Sequence, residues 1–177
     1  SSSDLLSIAG FDGRLRLVNP AGERVLGYSA AELIGSSPLD LIHPEDRAAA
    51  EAASARLRAG SPVTAHEVRV RCNDGSYRWI SWRSSADTAR QIYLSSACDI
   101  TPFKLTETAL KESQENLRRL LEQAPVAIGI RGLDGDLRFI NKKFEQTFGY
   151  KAEEIFTFQD WVSRAYPDPV YLQSVRG

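Results

Sequence analysis

Two stretches of this chain carry nearly the same pattern 122 residues apart. DGRLRLVNPAGERVLGY runs from Asp12 to Tyr28, and DGDLRFINKKFEQTFGY from Asp134 to Tyr150. Aligned without gaps from Gly10–Leu33 to Gly132–Ile155, the segments share 11 of 24 residues. A period this long far exceeds a solenoid repeat, so it points to two whole domains rather than a stacked array. A chain of 177 residues can hold one large domain or two small ones, and either can bury a workable core.

Composition narrows the function classes. Lys+Arg 22 against Asp+Glu 23 leaves no basic field to draw nucleic acid or an anionic membrane. No apolar run approaches the length of a membrane span, and no signal peptide opens the chain, which reads as cytoplasmic. Cys72 and Cys98 are too few for a disulfide framework, and each closes an apolar strand pattern, so both are expected as buried thiols in a reducing compartment. The sequence begins SSSD and contains no Met, as a piece of a longer protein would.

Local grammar gives the elements. Leu5–Ala9 and Leu15–Val18 are apolar runs joined by an Asp-Gly turn, a hairpin signal. Asn19-Pro20 opens a brief helix as N-cap and first helical residue, and Gly27 closes it. His43-Pro44 opens a longer, alanine-rich helix ending at Gly60, with Glu45 and Asp46 as solvated acids in its first turn. Three strands follow: Val63–Cys72, Tyr77–Ser85 and Gln91–Cys98. In the first of these His66, Val68, Val70 and Cys72 share a face. Two strands, several short helices and three antiparallel strands make an α+β fold with the helices gathered on one face. From Thr101-Pro102 a long helix runs to Pro125. Phe103, Leu110, Leu117 and Ala124 recur every seven residues along it, with Thr106, Ser113 and Leu120 at the alternate position. That is a heptad seam with two polar members, suited to an adjustable parallel homodimer.

Four motifs in order, DGRLRLVNPAGERVLGYSAAELIG, LIHPEDR, HEVRVRCNDGSYRWI and CDIT, resemble the sensory-box type of PAS domain. The second copy resembles the same family through DGDLRFINKKFEQTFGY and the YPDP run at Tyr166–Pro169. The resemblance implies a PAS-like five-stranded antiparallel sheet with helices on one face, enclosing a small cavity, and a non-catalytic sensory or dimerisation role upstream of an output domain. It divides the chain into a first PAS domain at 1–101, a connector helix at 102–124, and a partial second PAS domain at 125–177 lacking its last three strands. The parent protein is then a sensor histidine kinase of a two-component system, with a diguanylate cyclase as the other reading.

Site residues follow from the strand phases and the resemblance together. A ligand-binding sensor would converge polar groups from Arg47, His66, Ser81 and Ser96 on the cavity. An interaction module without a ligand would fill the same space with Val68, Val70, Ile80 and Leu94. Asn19 and Asn141 are expected to cap matching helices. Asp99, Ile100 and Thr101 form the joint through which a signal enters the connector. Haem needs an axial ligand, and the long helix after Pro44 carries no His. His43 reads as a cap, and His66 as a core or edge residue. The Asn-Cys motif of flavin-binding photoreceptor relatives is missing between Gly35 and Gly60. Both features argue against haem and flavin, and the two Cys and two His show no metal-ligand spacing. No phosphate loop or nucleophile motif points to an enzyme. Trp79 and Trp82 read as core on one strand face and a partner-facing surface on the other.

Overall fold

The computed structural model describes residues 4–151, 154 and 157–165. The chain divides into two compact units, Ser1–Thr108 and Ala109–Gly177.

In the first unit, strand β1 (Leu5–Gly10) turns back into β2 (Leu15–Val18). Gly13 sits at φ 77°, the left-handed region that the Asp-Gly turn needs, and Asp12 Oδ1 accepts from Arg14 N at 3.1 Å. Helices α1 (Pro20–Leu26) and α2 (Ala30–Leu33), a 3-10 turn at Pro38–Leu41 and helix α3 (Pro44–Arg58) follow. The unit closes with β3 (Val63–Arg71), β4 (Tyr77–Asp87) and β5 (Ile92–Asp99). All five strands form one sheet in the order β2-β1-β5-β4-β3, each neighbour pair antiparallel. The arrangement is the α+β sheet with helices over one face that the element order predicts.

Small residues set the depth of the helical layer. Ala50 and Ala53 of α3 are fully buried, packed respectively with Val68 and Ile42, and with Leu57, Val63 and Tyr93. Leu5, Leu26 and Cys72 make a third cluster. Cys72 is therefore buried as expected, but Cys98 is exposed. The pleat explains the difference: Ala97 lies on the helix-covered face of β5, so Cys98 points to the other side.

Helix α4 (Thr101–Gln123) leaves β5 after a single residue and has no buried side chain. Ala124, the fourth seam position, lies beyond the helix end. It precedes Pro125, whose ring disfavours helical backbone in the residue before it. In the second unit β6 (Gly129–Arg131) pairs with β7 (Leu137–Ile140), and helices α5 (Lys142–Phe148) and α6 (Phe158–Ala165) follow. Ile140 and Phe144 are buried against Ala127, Leu137, Tyr150 and Trp161. Tyr166–Pro169 lies outside the described residues. Among the described residues no helix is long and apolar enough to cross a membrane.

The two repeated asparagines occupy matching sites. Asn19 Oδ1 accepts from Gly22 N at 3.3 Å and from Leu6 N at 3.0 Å, while Nδ2 donates to Asp4 O at 2.9 Å. Asn141 Oδ1 accepts from Phe144 N and Ile128 N, and Nδ2 donates to Val126 O, each at 2.9 Å. The partners in the two copies are separated by the same offset as the asparagines. Each residue is thus more than an N-cap: it also fastens the start of the unit's first strand.

Candidate functional site

A cavity of about 200 Å³ lies between the sheet and the helical layer of the first unit. Residues of all five strands build its floor: Leu5, Ser7 and Ala9 from β1, Leu15 and Val18 from β2, Tyr93, Ser95 and Ala97 from β5, Ile80, Trp82 and Ser84 from β4, and Val68 and Val70 from β3. Leu26, Leu33, Leu39, Ile42, Ser54 and Leu57 close it from the helical side, with exposed Arg58 at its margin.

Strand pairing places three serines in one row. Ser7 stands opposite Ser95 in the β1–β5 pair, and Ser95 opposite Ser84 in the β5–β4 pair. Ser84 Oγ donates to Leu94 O at 3.1 Å and lies 2.7 Å from Ser95 Oγ. A hydroxyl has one hydrogen, so while Ser84 donates to Leu94 O, the hydrogen between the two serines comes from Ser95. The next row runs Leu5, Ala97, Trp82 and His66. Trp82 Nε1 and His66 Nε2 are buried without a hydrogen-bond partner, the two rings meeting edge to face at 5.7 Å.

Of the eight cavity residues expected from sequence, Val68, Val70 and Ile80 line it and five do not. Arg47 is on the exposed side of α3. Ser81 alternates away from Ile80 and Trp82. Leu94, 43% exposed, and Ser96 alternate away from Tyr93, Ser95 and Ala97, on the sheet's other face. His66 keeps the phase of Val68 but lies toward a bulge between Val63 and His66 and stands beside Trp82 without reaching the cavity wall. Ser7, Trp82, Ser84, Tyr93 and Ser95 are among the wall residues missed. Tyr93 was the signal available: a large aromatic on a strand of small residues anchors the inward phase.

The exit from the sheet is tightly bonded. Asp99 Oδ1 accepts from Thr101 N at 2.9 Å, and Asp99 Oδ2 from Arg78 Nη1 at 2.7 Å. Trp79 N donates to Thr101 Oγ1 at 2.9 Å, and Ile100 N to Trp79 O at 2.9 Å. Burial raises the Asp99 pKa, but the bonds from Thr101 and Arg78 outweigh it and hold the carboxyl below its ordinary value. Trp79 faces outward, with Arg69 5.5 Å and Lys104 5.3 Å from its ring centre, and Lys104 pairs with Glu67 at 2.8 Å. The first turn of α4 is therefore fixed to the strands that carry the cavity floor.

Asp46 is not a solvated acid. Its carboxylate accepts from Arg69 Nε at 2.9 Å, Arg69 Nη2 at 2.7 Å and Arg69 N at 2.9 Å, tying α3 to the sheet edge. The Arg69 side chain holds its pKa down, from 3.8 to about 2. A lowered carboxyl pKa contributes stability that is complete above pH 3.8 and lost as pH falls toward about 2. Asp46→Asn should flatten that acid limb and cost up to about 2 kcal/mol at neutral pH. Acid titration of the unfolding midpoint checks it: a limb unchanged from wild type would refute the assignment. His43 Nδ1 accepts from Glu45 N at 3.3 Å, the cap the sequence suggests.

The family follows from these residues and their matches. A family profile described as PAS fold matches residues 16–93, and one described as PAS domain matches residues 115–175. The solved structure of a sensory box histidine kinase/response regulator from Burkholderia thailandensis is 33% identical, with a TM-score of 0.53, over 67% of this chain and 92% of that one. The chain belongs to the PAS domain family. PAS domains are sensory, non-catalytic modules, and this one is homologous to sensor domains of histidine kinases. An uncharacterized Sinorhizobium fredii protein, y4lL, is 28% identical over 163 residues, covering 88% of this chain and 19% of that protein. The peroxide stress-activated histidine kinase mak1 of Schizosaccharomyces pombe is 34% identical over 67 residues, covering 35% of this chain. The PAS chain spans only 19% and 4% of the lengths of these two relatives.

Proposed function

We propose that this chain is a cytoplasmic tandem-PAS sensory segment of a histidine kinase. The first unit receives a small molecule in its cavity, α4 carries the change as one strand of a homodimeric coiled coil, and the second unit passes it on. The observation that carries this reading is continuity. The floor strands β4 and β5 are the same strands that Arg78, Trp79 and Asp99 lock to the start of α4. A shift of the floor on ligand binding is transmitted to the helix with one intervening residue.

The reading is tested by comparing native and denatured masses of the purified chain. A retained ligand adds mass that disappears on denaturation. If the two masses agree and no small apolar compound raises the unfolding temperature, the first unit is a ligand-free interaction module instead.

A further inference from the structure

An apolar pocket with a single cation at its mouth selects among ligands by charge, given the ligand-binding reading on which this inference rests. We propose that the cavity of the first unit takes an amphipathic monocarboxylate, its apolar body inside and its carboxylate at the mouth beside Arg58. The wall sets the body. Leu15, Leu33, Ile42, Leu57, Val68 and Ile80 present aliphatic surface from both layers, and among the described residues lining the cavity there is no Asp, Glu, Lys or His. A charged group carried down to the floor would lose its hydration with no counter-ion to replace it. The head group therefore stays where the cavity meets solvent. Because the pocket is open there, the wall fixes the character of the body and not its length.

Exposure locates the mouth. Of the lining residues only Pro38 and Arg58 are exposed, which places the opening between the turn at Pro38–Leu41 and the last turn of α3. Proline has no N–H to offer, so recognition there falls to Arg58. A long cationic side chain that lines an apolar wall and is also exposed keeps its stem on the wall and its head in water. Among the described residues no ion pair or hydrogen bond engages the Arg58 guanidinium. Nor is it needed to cap α3, because the carbonyls of Ala55, Arg56 and Leu57 already accept from the amides of Ala59, Ser61 and Gly60. Ser54, one helical turn earlier on the same side, also lines the wall and adds a hydroxyl. A carboxylate can accept from a guanidinium through both oxygens, and its single charge matches the single cation. An ammonium would find no carboxylate among the lining residues, and a second acid group no second cation.

Octanoate, octanol and octylammonium share one body and differ only in the head. Each is titrated, below its micelle concentration and at low salt, into the full 177-residue chain, with binding read from the amide shifts of the cavity residues. Octanoate is expected to bind most tightly and octylammonium most weakly. In Arg58→Gln, octanoate affinity should fall roughly fivefold while octanol affinity holds, which also shows that the variant cavity is intact. Arg56→Gln is the control, since Arg56 is exposed in the same turn but does not line the cavity, and it should leave both affinities unchanged. Octanol or octylammonium binding as tightly as octanoate would overturn the acid class while leaving the cavity a binding site. Octanoate affinity unchanged in Arg58→Gln, or lowered equally by Arg56→Gln, would overturn the role of Arg58. Failure of all three to bind would overturn both the class and the ligand-binding reading beneath it.

Discussion

Asn141→Ala should unfold the second unit under conditions in which Asn19→Ala leaves the first intact. An amide side chain offers two donor hydrogens and two acceptor sites, and Asn141 uses all four. Phe144 N and Ile128 N donate to its oxygen, and its nitrogen donates to Val126 O and to Leu121 O in the last turn of α4, all at 2.9 Å. The residue is completely buried. Truncation strands four polar groups where water has little access, and each such group costs about 1–3 kcal/mol. Even with partial relaxation the loss should reach about 3–5 kcal/mol, a large share of a small domain's stability. Asn19 makes three side-chain bonds in a half-buried site, and its loss should cost about 1–2 kcal/mol. Asn141→Asp separates capping from fastening. Aspartate is as good an N-cap as asparagine, but it would turn an acceptor toward Leu121 O and Val126 O. Hydrogen exchange reads the outcome residue by residue: Ile128 and Phe144 amides should lose protection in both variants while Val68 and Val70 keep theirs. If Asn141→Asp is neutral, the residue is only a cap.

The matching asparagines also show what a sequence can and cannot reveal. The cap was legible because it joins neighbours in the chain. The bond from Leu6 N to Asn19 crosses thirteen residues, and the repeat alone does not show it. Strand phase was readable on β3, where Val68 and Val70 stand out among charged residues. It failed on β5, where Leu94 is the largest aliphatic residue of IYLSSACD beside Ile92 and yet faces outward. There the pairing of Ser95 with Ser7, 88 positions earlier in the chain, decides the face, and pairing exists only once the sheet has formed. Asp46 looked like a helix-start charge because Arg69 comes 23 residues later on a different element. The end of α4 was legible and missed, since Pro125 already excluded Ala124 from the helix.

Replacing Leu110 and Leu117 by Asp should convert the chain from dimer to monomer in sedimentation while the first unit stays folded. Phe103, Leu110, Leu117 and Leu120 are 68%, 59%, 58% and 68% exposed, and nothing on α4 is buried. A helix that spends this much apolar surface on solvent gains by pairing, at about 25 cal/mol for each Å² removed from water. In the proposed relay a twin helix is that partner, as the heptad spacing suggests. Thr106 donates its hydroxyl hydrogen back to Pro102 O at 2.9 Å, within its own helix. That layer is thin, Ser113 weakens the next, and Ala124 has left the helix, so a paired seam would hold with little to spare. A narrow gap between registers is what a sensor requires, because a ligand moves an equilibrium only by its differential affinity for the two states. In the longer protein, deleting seven residues from α4 should restore the seam and keep regulation. Deleting four should rotate the second unit by a partial turn relative to the seam and lock the output in one state. A wild-type chain that stays monomeric at high concentration, or a four-residue deletion that regulates normally, would defeat the coiled-coil relay.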